Sequence, residues 1–253
     1  MDRRKVFLAG LAAGGAGIAG TTTWAQTEPA PLPPPFSEFK RPGNDVAAHG
    51  VGSAPPRLDE IVKAFQLIIK APRSNKPIDI AHYFAGLTDV NTNTPDGKPV
   101  LYRSEWKNLS RANPLVVDFF SATFTAPSAI DGDGDQVAWC SAFVNTMLMM
   151  AGKTGTWSAL SGSFRNAKNL PPTNNPQVGD IVVLRDDGPG GDQGHGHVGF
   201  LDAPYDRATG YIKVLGGNQG GANGGEIRSD WFFKPGSGYG AGKTLHSFRS
   251  VPA

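Results

Sequence analysis

Apolar residues recur along the chain first at helical and then at strand-like intervals. The segment "RLDEIVKAFQLIIKA" places them at Leu58, Ile61, Phe65, Ile68 and Ile69, a spacing that predicts an amphipathic helix. "IDIAHYFAGL" predicts a second helix. "NPLVVDFFSAT" predicts a third, with Asn113 as its cap and Pro114 in its first position. "NTNTPDGKP" between them reads as a turn-rich loop. From Cys140 onward, Phe143, Val144, Met147, Leu148, Met150 and Ala151 form one apolar face that stops at Gly152. The methionines on it read as core filler. After Pro176 the period shortens. Strands are predicted over 180–185, 197–203, 211–217, 226–233 and 245–251, separated by glycine and polar turns. Helices first and strands second imply an α+β fold with an antiparallel sheet. No internal repeat is present.

The N-terminus has a different pattern. "MDRRKVFLAGLAAGGAGIAGTTTWAQ" carries a basic start, then a small and weakly apolar run, then small residues near Ala25. This is the layout of a cleavable export signal over residues 1–25, and its paired arginines resemble a twin-arginine leader. The run is too glycine-rich for a good bilayer span. Residues 26–56 begin with the proline-rich "TEPAPLPPPFSEFKRPG" and read as an extended linker. That leaves 57–253 as the folded domain, with 57–110 as an N-terminal helical extension. Arg3, Arg4 and Lys5 less Asp2 account for the whole formal charge of +2, so the remainder is near neutral. A neutral domain gives no electrostatic case for nucleic acid. The chain has 33 glycines and 21 prolines, about a fifth of its length, and they alternate with aromatic and β-branched runs. That combination fits a turn-rich fold rather than disorder.

Cys140 is the only cysteine, so an internal disulfide is impossible. It follows the acidic loop "DGDGD" and opens a predicted helix, where unpaired N–H groups favour a thiolate. A buried apolar cysteine is the competing reading. A nucleophilic thiol needs a base, and the chain has five histidines. His49 falls in the linker, His82 in a helix and His246 in the last strand. His195 and His197 share "GDQGHGHVGFLD", and alternation puts both on one side. His197 is the better base because a strand anchors it. The following strand ends at Asn218, whose side-chain oxygen would orient the imidazole in a Cys-His-Asn arrangement.

In chain order, "VAWCSAFVN", "QVGDIVVL", "GHVGF" and "VLGGNQ" resemble the NlpC/P60 and CHAP superfamily of papain-like cysteine hydrolases, nearest to the CHAP-like branch. The resemblance implies a helix carrying Cys140 packed on a small antiparallel sheet carrying His197 and Asn218. It further implies cleavage of amide bonds in peptidoglycan through a thioester, with periplasmic or secreted action and peptide stems as partner. The Cys140 N–H would serve the oxyanion, with Gln136 or Trp139 as a second donor, though Trp139 equally suits packing at the helix start. Some CHAP domains hold calcium before the cysteine, which draws attention to Asp131 and Asp133, although further acidic ligands are missing; no cofactor is required. A zinc site from Asp192, His195 and His197 would lack a rigid scaffold and leave Cys140 unused. Two other readings remain: a thiol acyl-hydrolase or transferase with a non-wall substrate, and a non-catalytic wall-binding module.

Overall fold

The computed structural model describes residues 57–88, 90–91, 100–106, 111–124, 135, 137–221, 224–232 and 242–252. The leader and linker expected over 1–56 lie outside them. The architecture is α+β, with helices packed on a curled antiparallel sheet, as in papain-like folds.

Helices α1 (Leu58–Lys70), α2 (Pro77–Ala85) and α3 (Pro114–Phe119) come first, with a short hairpin of β1 (Val90–Asn91) and β2 (Val100–Leu101) between α2 and α3. The cysteine helix α4 (Cys140–Met150) follows. The sheet uses β3 (Pro172–Thr173), β4 (Ile181–Asp186), β5 (Gly196–Leu201), β6 (Ile212–Gly221), β7 (Gly224–Phe232) and β8 (Lys243–Arg249), with a four-residue helix α5 (Pro189–Asp192) after β4. Its strand order is β3-β8-β4-β5-β6-β7. The predicted helices and strands are present with shifts of a few residues at their ends. The β1–β2 pair, β3 and α5 were not legible. They are two to four residues long, too short for a period to show.

Local chemistry explains the boundaries. Asn113 caps α3 by accepting from the Leu115 N–H at 3.0 Å, and Pro114 occupies the first position, as the sequence implies. Gly152, at φ +69°, ends α4 in the left-handed region that glycine adopts without strain. The acid before α4 has a different role from a helix cap. Asp135 is buried, and its carboxylate accepts the N–H groups of Trp106, at 2.5 Å, and Asn113, at 2.8 Å. It therefore ties the approach to α4 to the segment entering α3.

The sheet separates two apolar layers. Ile181, Val183, Val198, Phe200 and Leu215 face the layer shared with α4, α3, α2 and the inner side of α1. Val182, Leu184, Leu201, Ile212, Val214 and Phe232 line the other. The helical extension is thus part of the core behind α4. Segment 103–105 also continues the sheet past β7, with Ile227 N–H donating to Arg103 O at 2.8 Å and Glu105 N–H to Gly225 O at 2.9 Å. This pairing protects an otherwise open strand edge.

One buried ion pair fixes the extension. Glu60, on the inner side of α1, receives Arg111 Nε at 2.9 and 2.8 Å and Arg111 Nη2 at 2.5 Å. Both side chains are almost fully buried, and the guanidinium also lies 5.7 Å from the Trp106 ring centre. Hydrogen bonds from Arg111 and Arg57 hold the Glu60 carboxyl below its ordinary pKa despite its burial. Removing one partner strands the other charge in a dry site, at a cost of about 3–5 kcal/mol. Arg111→Ala is expected to lower stability by that amount, read as a shift in the denaturant midpoint; a change near zero would show that the pair carries no structural weight.

Candidate active site

Cys140 is the first residue of α4, with Trp139 at the cap position, and is 5% exposed. Its thiol lies within the hydrogen-bonding influence of the N–H groups of Val198 and Ser141. Val198 is the residue after His197 on β5, so α4 delivers the sulfur to the backbone that carries the imidazole. Among the described residues no hydrogen bond joins the thiol to the ring. Hydrogen bonds between catalytic groups are often long in unliganded sites and tighten with substrate.

His197 is buried and its ring is stacked on Phe232 at 6.0 Å. Its Nε2 is 3.0 Å from Gln219 Oε1. That contact defines a tautomer with the proton on Nε2 and leaves Nδ1 as the basic nitrogen. Gln219 is itself fixed, because its Nε2 donates to Val214 O at 3.2 Å and Arg228 O at 2.5 Å.

The residue bonded to His197 is therefore Gln219 and not Asn218. The cause is a bulge in β6. Gly216 pairs with Arg228 and Gln219 with Glu226, so three steps on β6 match two on β7. Regular alternation from Val214 and Gly216 would bring residue 218 to the imidazole side. The extra residue passes that position to Gln219. Asn218 takes φ +55°, and its Oδ1 is turned toward Gly225, where a Cβ would lie only 2.2 Å away.

The two glycines before the bulge have separate tasks. A Cβ on Gly216 would lie 3.1 Å from His197 Nε2 and 2.9 Å from Gln219 Oε1. A Cβ on Gly217 would lie 2.3 Å from Trp139 Cζ3 and 2.8 Å from Phe143 Cβ. One side of β6 thus admits the imidazole, and the other admits the cysteine helix.

Burial dominates the electrostatics. It pushes the Cys140 thiol up, outweighing the downward pull of the Val198 and Ser141 N–H groups and the Lys243 charge. It pushes His197 down to about 4, against the upward pull of the Gln219 bond. The expectation of a thiolate favoured by the helix terminus is thus reversed by desolvation. At neutral pH the resting pair is thiol and neutral imidazole.

Of the other candidates, Trp139 is fully buried. Its ring packs on Phe119 at 6.1 Å and Phe143 at 6.5 Å, and its Nε1 has no hydrogen-bond partner. Packing at the helix start is its visible role. His195 lies in the turn before β5, where its carbonyl accepts from Arg165 Nη2 at 2.7 Å. Asp192 pairs with Arg185. No group of three His, Cys, Asp or Glu residues suited to a metal occurs among the described residues. Gln136, Asp131 and Asp133 lie outside the described residues.

A cysteine at the head of a buried helix, set against an antiparallel sheet whose histidine is held by a carboxamide, is consistent with an α+β papain-like fold. Residues 132–218 match the family model of the CHAP domain, consistent with the NlpC/P60–CHAP superfamily. The matched span contains Cys140, His197 and Asn218 and ends one residue before Gln219. No curated protein and no solved structure matches the chain. CHAP domains are generally hydrolases acting on peptidoglycan, and the match points to that type of function.

Two predictions follow from this geometry. Loss of the Gln219 hydrogen bond, about 1–1.5 kcal/mol, is expected to lower kcat/KM roughly tenfold in Gln219→Ala. Asn218→Ala should leave the rate within about twofold, since the ring's hydrogen bond goes to Gln219. Equal losses in the two variants would refute the assignment. The pH profile supplies the second prediction. Turnover needs the unprotonated ring, so activity should fall as pH drops through about 4, not through the ordinary histidine value of 6.5. The Gln219 bond raises the His197 pKa, so Gln219→Ala should move this acid limb still lower. A limb near 6.5 in both proteins would show that the ring is not buried as described.

Proposed function

We propose that the protein is an exported cysteine hydrolase that cleaves amide or peptide bonds of bacterial cell-wall peptidoglycan. The observation that carries this reading is the Cys140 thiol against the Val198 N–H, next in sequence to His197, whose ring Nε2 is held by Gln219. The CHAP match over the same residues supports the wall substrate. The leader-like pattern of residues 1–25 supports export to the periplasm or beyond.

The neutral resting pair sets the order of events. As the Cys140 sulfur attacks a carbonyl carbon, its proton passes to His197 Nδ1, so thiolate character develops only during attack. The charge on the carbonyl oxygen is met by the backbone N–H groups at the head of α4. The imidazolium then protonates the departing amine, and the carbon–nitrogen bond breaks to leave a thioester on Cys140. A water molecule gives its proton to the same nitrogen and attacks the thioester. The carboxylate product leaves, and the proton returns to sulfur. Gln219 accepts from Nε2–H throughout, which stabilises the transient imidazolium and keeps the ring from turning.

The test is digestion of purified peptidoglycan and defined muropeptides with mass detection. The wild-type chain should release fragments whose masses distinguish a glycan–peptide amidase from a peptide endopeptidase. Cys140→Ser should reduce release by at least ~10³-fold, with an unchanged thermal transition. If the wild type cleaves no wall substrate, the assignment fails. If Cys140→Ser cleaves as well as the wild type, the thiol mechanism fails.

A further inference from the structure

Helix α1 has two apolar faces, and the core uses only one. Ala64, Leu67 and Ala71 turn inward and are buried, together with the ion-paired Glu60. Leu58, Val62, Phe65 and Ile69 turn outward and are 75%, 46%, 52% and 81% exposed. Their 4-3-4 spacing brings these four onto one narrow stripe, about 17 Å long. The other large exposed apolar residues, among the described ones, are Phe124, Met149, Trp157, Val178, Tyr211 and Trp231, which come from separate elements and loops. Water contact with four large side chains in register is costly, and such a face marks an interaction surface.

The charge around the stripe identifies its partner. The exposed Lys70 lies along one edge, and the exposed Arg73 and Lys76 extend the basic rim beyond the C-terminal end. The nearby acids are engaged: Asp59 with Arg57 at 3.1 Å, and Asp79 with Ser74 Oγ at 2.8 Å. We propose that this face of α1 is a docking surface for an anionic lipid bilayer, with the helix lying in the headgroup plane. An apolar face bordered by lysine and arginine is the pattern of an interfacial helix. The lysine stems can lie along the acyl boundary while their ammonium groups meet lipid phosphates.

Two further observations favour a membrane over a second copy of the chain. The helix is about 20 Å long, so pairing it with its own copy would bury a few hundred Å², well short of the ~800 Å² per partner of a stable dimer. The helix is also formed and held before binding, by the Glu60–Arg111 pair and by Tyr83 Oη donating to Leu67 O at 2.9 Å. Docking therefore costs little ordering entropy. The surface is independent of the Cys140 chemistry. Its consequence is location: it would hold the domain against the membrane rather than free in the surrounding layer.

The chain's single cysteine makes the test local. In full-length Cys140→Ser, Ile69→Cys is labelled with an environment-sensitive fluorophore and mixed with vesicles of phosphatidylcholine alone, or of phosphatidylcholine with phosphatidylglycerol. A blue shift with the anionic vesicles only, removed by Lys70→Glu with Lys76→Glu, is the expected result. In vesicle flotation, Phe65→Asp in the otherwise unaltered chain should bind at least tenfold more weakly than the wild type while keeping its turnover of a soluble muropeptide. The proposal is overturned by an absent shift, by an equal shift with both vesicle types, or by a shift that survives charge reversal. A lipid-independent shift that grows with protein concentration would assign the face to self-association and also overturn it.

Discussion

The architecture depends on how closely the head of α4 can approach the sheet. Strand β6 comes close to both parts, with Gly216 against the imidazole and Gly217 against Trp139 and Phe143. Any side chain at either position would separate the parts. The aromatic stack of Phe119, Trp139 and Phe143 then fixes the helix from behind. The extension supports that stack in turn, since Phe84 of α2 packs edge-on to Phe119 at 5.6 Å. Helices distant in sequence thus determine where one sulfur atom sits.

Burial of the site sets its chemistry as well as its geometry. A helix terminus and nearby N–H groups are the usual means of ionising a thiol, and both are present here. Desolvation outweighs them because sulfur and ring are each nearly sealed from water. The same desolvation lowers the histidine, so neither group rests in charged form. At rest the site holds a neutral thiol and a neutral imidazole, the starting state of the proposed mechanism. Folding carries a related cost, since His197 must stay neutral in the native state. As pH falls from 6.5 to about 4 the unfolded chain gains a proton that the folded chain refuses, a loss on the order of 3 kcal/mol.

Much of this was legible in the sequence. The periodic segments named the helices and strands, and the lone cysteine before an apolar run, followed by a histidine opening a strand, named two buried groups on neighbouring elements. That the ring bonds to Gln219 rather than Asn218 has a physical origin. Strand alternation is a reliable guide only while the strand is regular, and "GGNQ" contains a bulge that no periodicity records. The asparagine–glutamine pair offered both carboxamides, and the glycines ahead of them were the available hint that the backbone departs from the pleat. The apolar signal of α1 misled in another way. Leu58, Phe65 and Ile69, which make the helix evident, are the residues it exposes, while its buried face is built from Ala64, Leu67, Ala71 and one paired acid.

The depth of the sulfur bears on the protein's durability in oxidising surroundings. Oxidants and alkylating agents act on exposed thiolates, and Cys140 is neither exposed nor ionised at rest. On the proposed mechanism its reactivity develops only as a substrate carbonyl is presented. An unpaired cysteine, ordinarily a hazard where oxidants are present, is thereby made chemically quiet at rest.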